Sequence, residues 1–312
     1  MSAKVLTVTL NPSIDKTITV EKFVPYGLNR VLKTRQDPGG KGINVAKVLK
    51  NFGVDVTVFG LIAGSQGKLL TDFLNKAEIE TDFLQIPGET RTNLKIFDES
   101  INKMTEINET GFQVTPEILD SFRNKFKESI RGAAMVVLSG SLPPGIPDGF
   151  YAECIAAAKS EEIRTVLDAD AGALAEGIKA VPYAVKPNIH ELELLNGRHF
   201  TNSNEVVDAV KALINTGIEI VIVSMGADGA IVANKDEAFK VDSWDIPVKS
   251  ATGAGDSMVG SLVYSLLRND SLYEIAKITT AAGTITASKE GTQICTKNEV
   301  LQSLENVTVK KI

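Results

Sequence analysis

Two glycine-rich runs, one near each end of the chain, carry the residue types best suited to chemistry. The later run is Thr252-Gly253-Ala254-Gly255-Asp256, followed at once by apolar residues at helical spacing. Small residues let the backbone bend tightly and bring its N–H groups close to a ligand, and a helix start adds oriented donors for negative charge. Such a turn can stabilise the charge that develops on a migrating phosphoryl group, and a carboxylate beside it can accept the proton of an attacking hydroxyl. Asp256 is therefore the candidate base, and the amides of Gly253, Ala254 and Gly255 are the candidate anion hole. Read alone, the same turn fits a helix start with Asp near its positive end.

The earlier run is Gly39-Gly40-Lys41-Gly42-Ile43-Asn44, leading into Val45-Ala46-Lys47-Val48-Leu49. Its glycines allow close approach, Lys41 offers a cation, and Asn44 can donate and accept hydrogen bonds, a set suited to a phosphorylated polyol. It is not a Walker loop, which needs wider glycine spacing and a Ser or Thr after the Lys. Lys186, Asn188 and Glu191 fall at the end of an expected strand and the start of an expected helix, where open α/β sheets place their ligand crevice. His190 and His199 have no partners at metal spacing and read as surface or capping residues. Trp244, the single tryptophan, reads as packing.

These residues need a scaffold. Apolar or β-branched runs at 5–10, 54–60, 134–139, 165–168, 184–186, 218–224 and 229–233 predict strands. Most are continuously apolar, which predicts burial on both faces of a parallel sheet. Apolar residues three and four apart predict helices at 43–51, 67–77, 116–130, 148–160, 191–195, 204–215, 257–268 and 271–289. Strands alternating with helices imply right-handed βαβ crossovers and a doubly wound α/β sheet, mostly parallel, flanked by helices on both faces. Two stretches, about 16–38 and 90–108, instead alternate polar with apolar residues, as in Thr17-Ile18-Thr19-Val20 and Thr92-Asn93-Leu94-Lys95-Ile96-Phe97. Alternation marks strands with one solvated face, and the two excursions are expected to meet as a small β-sheet lid on one domain spanning 1–312.

Composition narrows the function classes. With 43% hydrophobic and 23% charged residues in 312, the chain has globular proportions. A net charge of −6 with no long Lys or Arg run gives no track for nucleic acid. No apolar run approaches the roughly 20 residues of a membrane span, and no cationic leader precedes the first expected strand. Cys154 and Cys295, without metal-ligand spacing, indicate neither a disulfide framework nor a zinc site, so a cytoplasmic setting is expected.

The pairing of the Gly39–Asn44 and Gly253–Asp256 runs resembles the ribokinase-like, phosphofructokinase B family of carbohydrate kinases. Further matches follow in family order: Leu10-Asn11-Pro12-Ser13-Ile14-Asp15, Thr90-Arg91-Thr92-Asn93, Ser139-Gly140-Ser141-Leu142-Pro143, Lys186-Pro187-Asn188 with Glu191, and Ser224-Met225-Gly226-Ala227-Asp228-Gly229. The resemblance implies ATP as donor and Mg²⁺ as cofactor. It implies that Asp15 bonds sugar hydroxyls, that Gly39, Gly40 and Asn44 close around the sugar, and that Lys41 and Arg91 meet its phosphate. Ser139 and Gly140 would line the sugar cleft, with Asn108 in the sugar-contacting loop. Lys186 and Asn188 would meet the triphosphate, and Asn188 with Glu191 would organise Mg²⁺ through water. Ser224, Gly226 and Gly229 would border the nucleotide, and Ala281, Ala282 and Gly283 would lie under the adenine.

Within the family, Asn11–Asp15 and Lys41 resemble the branch acting on ketohexose phosphates. Thr92–Ile96 and Thr105–Asn108 are closer to its 1-phosphofructokinases than to its tagatose-6-phosphate kinases, implying conversion of fructose 1-phosphate to fructose 1,6-bisphosphate. The tagatose enzyme and a non-catalytic sugar-phosphate-binding regulator are the alternatives. Exposed lid strands imply a homodimer through paired lids. Two departures stand out. Ser250 and Ala251 replace the Asp or Asn then Thr that commonly help form a monovalent-cation site, so the resemblance leaves dependence on K⁺ open. Residues 108–111 lack the Pro-Gly-Pro-like continuation often seen in the branch.

Overall fold

The computed structural model describes residues 4–312. The first part of the chain runs β1 (Val5–Thr9), β2 (Ser13–Val20), β3 (Val31–Gly39), α1 (Lys41–Asn51), β4 (Val56–Ala63), α2 (Gly64–Lys76) and β5 (Glu80–Ile86). Next come β6 (Arg91–Asp98), β7 (Lys103–Asn108), α3 (Pro116–Ser129), β8 (Met135–Gly140), α4 (Phe150–Ser160), β9 (Arg164–Ala169) and α5 (Ala171–Lys179). They are followed by β10 (Ala184–Val185), α6 (Ile189–Asn196), α7 (Ser203–Asn215), β11 (Ile220–Ser224), β12 (Ala230–Ala233) and β13 (Ala238–Asp242). The chain closes with α8 (Ala254–Leu267), α9 (Leu272–Ala287), α10 (Lys297–Ser303) and β14 (Thr308–Lys311).

The large sheet has ten strands in the order β14-β13-β12-β11-β10-β9-β8-β1-β4-β5. From β11 to β5 every pairing is parallel, while β12, β13 and β14 add an antiparallel edge. Strand side chains alternate between two cores. Leu6, Val8, Val136 and Leu138 face the core built with α3 to α7, whereas Val5, Met135 and Val137 face the core built with α1, α2, α8, α9 and α10. Burial on both faces is what the continuous apolar runs require. Strand order reverses between β1 and β8, which opens a crevice at the carboxyl ends of the strands there.

The two alternating excursions meet as expected. They form a second, four-stranded sheet in the order β3-β2-β6-β7, with β2 and β6 parallel across the join. Several elements lay outside the sequence expectation. Strands β5, β13 and β14 carry several polar residues because they lie at or near sheet edges, and α5 contains Gly172 and Gly177, which weaken its helical signal. The run at 229–233 is a strand, but its partner β11 runs antiparallel. Among the described residues no helix is long and apolar enough to cross a membrane.

Candidate active site

Gly253 caps α8 with φ +82°, a left-handed conformation that other residues adopt only with strain. That turn aims the start of α8 into the crevice and sets Asp256 in the first helical turn. Among the described residues the N–H groups of Gly253 and Gly255 carry no protein acceptor. The Ala254 amide, expected to join them, instead closes the turn onto the Ala251 carbonyl at 3.3 Å. Helix α8 packs on α1 at Gly260, where a Cβ would fall 2.7 Å from the Val48 side chain. This close crossing brings the early and late glycine runs face to face: Asn44 Nδ2 donates to Asp256 Oδ2 at 2.8 Å.

Asp256 is 7% exposed. Burial pushes its carboxyl up to about 6, with the nearby Asp168 charge adding to the rise and Asn44, Lys41 and Lys186 opposing it. Asp168, which no motif singled out, ends β9 and is 1% exposed. Burial alone would raise its pKa, but Lys186 and Lys41, each with Nζ 3.4 Å from Oδ1, hold it below the usual carboxylate range. Lys186 also closes on the anion turn, its Nζ 3.2 Å from where a Gly255 Cβ would stand.

Lys41 also lines the cleft. It begins α1 among carboxylates, bonded to Asp168 and Asp170 and 3.9 Å from Glu191 Oε1. Burial lowers the pKa of its ammonium, yet those carboxylates outweigh it and hold the group above its ordinary value. The cause is topological, since parallel β8 and β9 end side by side beside the start of α1.

On the opposite wall, Asp15 is fixed by three donors: Ser13 Oγ at 2.9 Å, Asn93 Nδ2 at 3.1 Å and Lys95 Nζ at 3.1 Å. Arg91, Asn93 and Lys95 alternate along β6 and all face the cleft, so the period of two already noted in this strand could have pointed to Lys95. Arg91 donates to the carbonyls of Glu109 at 3.1 Å and Asn11 at 3.0 Å. Six polar atoms of cleft residues are buried without a protein partner among the described residues: Thr9 Oγ1, Asn11 Oδ1, Arg91 Nε, Asn93 Oδ1, Asp168 Oδ2 and Thr280 Oγ1. Buried polar groups are normally paired, so these atoms mark where a polar ligand's hydrogen bonds are missing.

The cleft encloses about 1090 Å³, beyond the space one drug-sized ligand needs. Gly40, Asn108, Ser139, Gly140, Asn188, Ser224, Gly226, Gly229 and Gly283 lie on its wall as expected. Gly39 does not; it packs behind Asp15 and Ser13. Ala282 is fully buried in the core, because the helical period turns Thr280, Gly283, Thr284 and Ala287 to the cleft instead. Trp244, expected only to pack, packs against the core and also lines the cleft. His190 is exposed beside Glu193 at the rim and His199 is exposed near the same carboxylate.

Residues 8–299 match the model of the pfkB family carbohydrate kinases. The chain belongs to the pfkB carbohydrate kinase family. As such it is a phosphotransferase that uses ATP on a sugar hydroxyl. Among curated relatives, the 1-phosphofructokinase of Xanthomonas campestris pv. campestris is 36% identical over 286 residues, 90% of each chain. The 1-phosphofructokinase of Bacillus subtilis is 34% identical over 308 residues, covering 99% of this chain and all of that one. Among solved structures, phosphofructokinase-2 from Escherichia coli in complex with potassium superposes with a TM-score of 0.92 at 29% identity, covering 97% of this chain and 98% of that one.

For a divalent ion, the pfkB cleft offers a small donor set. Asn188 and Glu191 form a capping box at the start of α6: Asn188 Oδ1 accepts from Glu191 N at 2.9 Å and Glu191 Oε2 accepts from Asn188 N at 2.8 Å. The Asn188 oxygen accepts one hydrogen bond and keeps a second lone pair, and Glu191 Oε1 and the unpartnered Asp168 Oδ2 are acidic oxygens beside it at the cleft. Burial raises the Glu191 pKa, so a nearby cation would favour its charged form. One or two carboxylate oxygens with ligand oxygens and water suit Mg²⁺. Among the described residues no cluster of three His, Cys, Asp or Glu side chains is arranged to hold a metal.

Proposed function

We propose that the chain transfers the γ-phosphoryl of ATP to the 6-hydroxyl of fructose 1-phosphate, giving fructose 1,6-bisphosphate, with Asp256 as base. The observation that carries this reading is the Asn44–Asp256 contact, which unites a polyol-binding loop, a buried carboxylate and an anion turn in one cleft. Asp256 takes the hydroxyl proton as the sugar oxygen bonds to phosphorus and the bond from phosphorus to the bridging oxygen of ADP breaks. The Gly253 and Gly255 amides, with Lys186 beside them, hold the charge on the migrating group. Mg²⁺, held by Glu191 and Asp168 when bound, would neutralise the nucleotide phosphates. Ser224, Gly226, Gly229 and Gly283 border the nucleotide; Asp15, Asn44, Ser139, Gly140 and Asn108 border the sugar; Arg91 meets its phosphate.

The names of the Xanthomonas and Bacillus relatives support fructose 1-phosphate. Potassium belongs to the E. coli structure. Here Ser250 Oγ accepts from Thr252 N at 3.2 Å and the Ala287 carbonyl accepts from two amides, which gives a monovalent cation beside this turn less support. The chain works as one kinase domain whose small sheet acts as a lid. Exposed Val31, Leu32, Met104 and Ile107 on the open edge strands β3 and β7 support a homodimer through paired lids. Free, buried Cys154 and Cys295 support a cytosolic setting.

The test is a panel of fructose 1-phosphate, tagatose 6-phosphate, fructose 6-phosphate and no sugar, each with Mg-ATP. A kcat/KM for fructose 1-phosphate about tenfold or more above the others is expected. Preference for tagatose 6-phosphate would replace the sugar assignment, and no turnover with any sugar would leave only a binding protein.

A further inference from the structure

Lys47 lies one turn past Asn44 on α1, where the stem of the lid, α8 and the segment after α9 converge. Its Nζ donates to Asn44 Oδ1 at 3.3 Å and to the Thr292 carbonyl at 3.4 Å. A carboxamide can sit either way round, and with its oxygen toward Asp256 it would repel the carboxylate. An ammonium has donors only, so Lys47 draws the amide oxygen and leaves the nitrogen for Asp256. The result is a continuous chain: Lys47 to Asn44, then Asn44 to Asp256 at 2.8 Å.

We propose that Lys47 is a positioning residue that locks the Asn44 amide with its donor toward Asp256. The proposal rests on Asp256 being the base. Around Lys47 stand Asp37 and Arg35 on β3, Asp15 on β2 and Asp256 on α8, and burial lowers its pKa against the pull of those carboxylates. Around Asp256 stand Asp168 at the end of β9, Lys41 on α1 and Lys186 after β10. Loss of Lys47 removes a cation from this group and frees the amide to turn. Both changes disfavour the ionised carboxylate, so both raise the pH at which the base is lost.

The experiment compares pH profiles of kcat between pH 5 and 8 for the full-length protein and its Lys47→Met, Lys47→Gln and Lys47→Arg variants, with Asp256→Asn as reference. Lys47→Met is expected to move the acid limb upward by about half a unit to one unit and to lower kcat at pH 7 by roughly three- to tenfold. The KM for ATP should stay unchanged, and Lys47→Arg should restore the limb. Lys47→Gln keeps a donor for Asn44 without the charge and carries the same comparison if Lys47→Met does not fold; its limb should also rise. An unmoved limb in the folded Met or Gln variant, with Asp256→Asn inactive, overturns this proposal alone. Near-normal turnover in Asp256→Asn overturns the base assignment and this proposal with it.

Discussion

At the floor of the cleft, Asp168 is buried between two lysines and Asp256 is 7% exposed, whereas every residue of β7 in the lid is exposed. The floor is set where parallel strands end against helix starts, and each charged group there is held by groups from several distant segments. The smaller sheet has two open edges, and its cleft residues come from simple alternation along β2, β6 and β7. The difference separates two tasks. Proton transfer needs desolvated groups of fixed geometry, while substrate choice can be carried by a sheet that presents interchangeable side chains at every second position.

The sharpest break of the comparison is Asp256→Asn. Turnover should fall by roughly two or more orders of magnitude while ATP still binds, measured by a coupled assay and by calorimetry. Stability should move the other way. A carboxyl raised in the folded state to about 6 contributes stability that is fully present below its unfolded pKa and lost as pH rises through the folded value. At pH 8 the ionised group is therefore a liability, and its replacement should stabilise the fold by about 1–3 kcal/mol in urea unfolding. A variant that is both inactive and less stable would show that Asp256 is held by favourable contacts rather than by imposed burial.

The pH profile tests the floor without mutation. Because the base works ionised, kcat/KM should drop about tenfold per unit as pH falls below about 6. A flat profile down to pH 5 would break the link between burial and catalysis. On the lid, Arg91→Lys keeps the charge but loses the planar fork, and KM for the sugar phosphate should rise about tenfold with kcat nearly intact. An equal loss in kcat would move Arg91 from the lid's task to the floor's. The smallest effect is expected from Leu32→Asp at a lid edge: light scattering should report monomers, with a roughly two- to fivefold higher sugar KM.

Much of the floor was legible because its motifs are local. Gly253 to Asp256 and Gly39 to Asn44 announce a tight turn before a helix in consecutive residues, and the apolar runs of the central strands announce a sheet covered on both faces. Edge strands β5 and β14, and β13 beside the edge, were not legible, since their polar residues leave no long apolar run to read. The carboxylates around Lys41 were not legible either, since only the ends of β8 and β9 bring Asp168 and Asp170 against it.

Taken by itself, then, the order of residues determined the fold class and the two glycine turns, and singled out Asp256 as the candidate base, because turn chemistry and hydrophobic period act over a few neighbouring positions. The tertiary structure alone decided that Asp168 sits between Lys41 and Lys186, that Lys95 anchors Asp15, and that Lys47 orients Asn44. Those contacts join residues from strands and helices far apart in the chain, and their strength depends on burial, which no local pattern encodes.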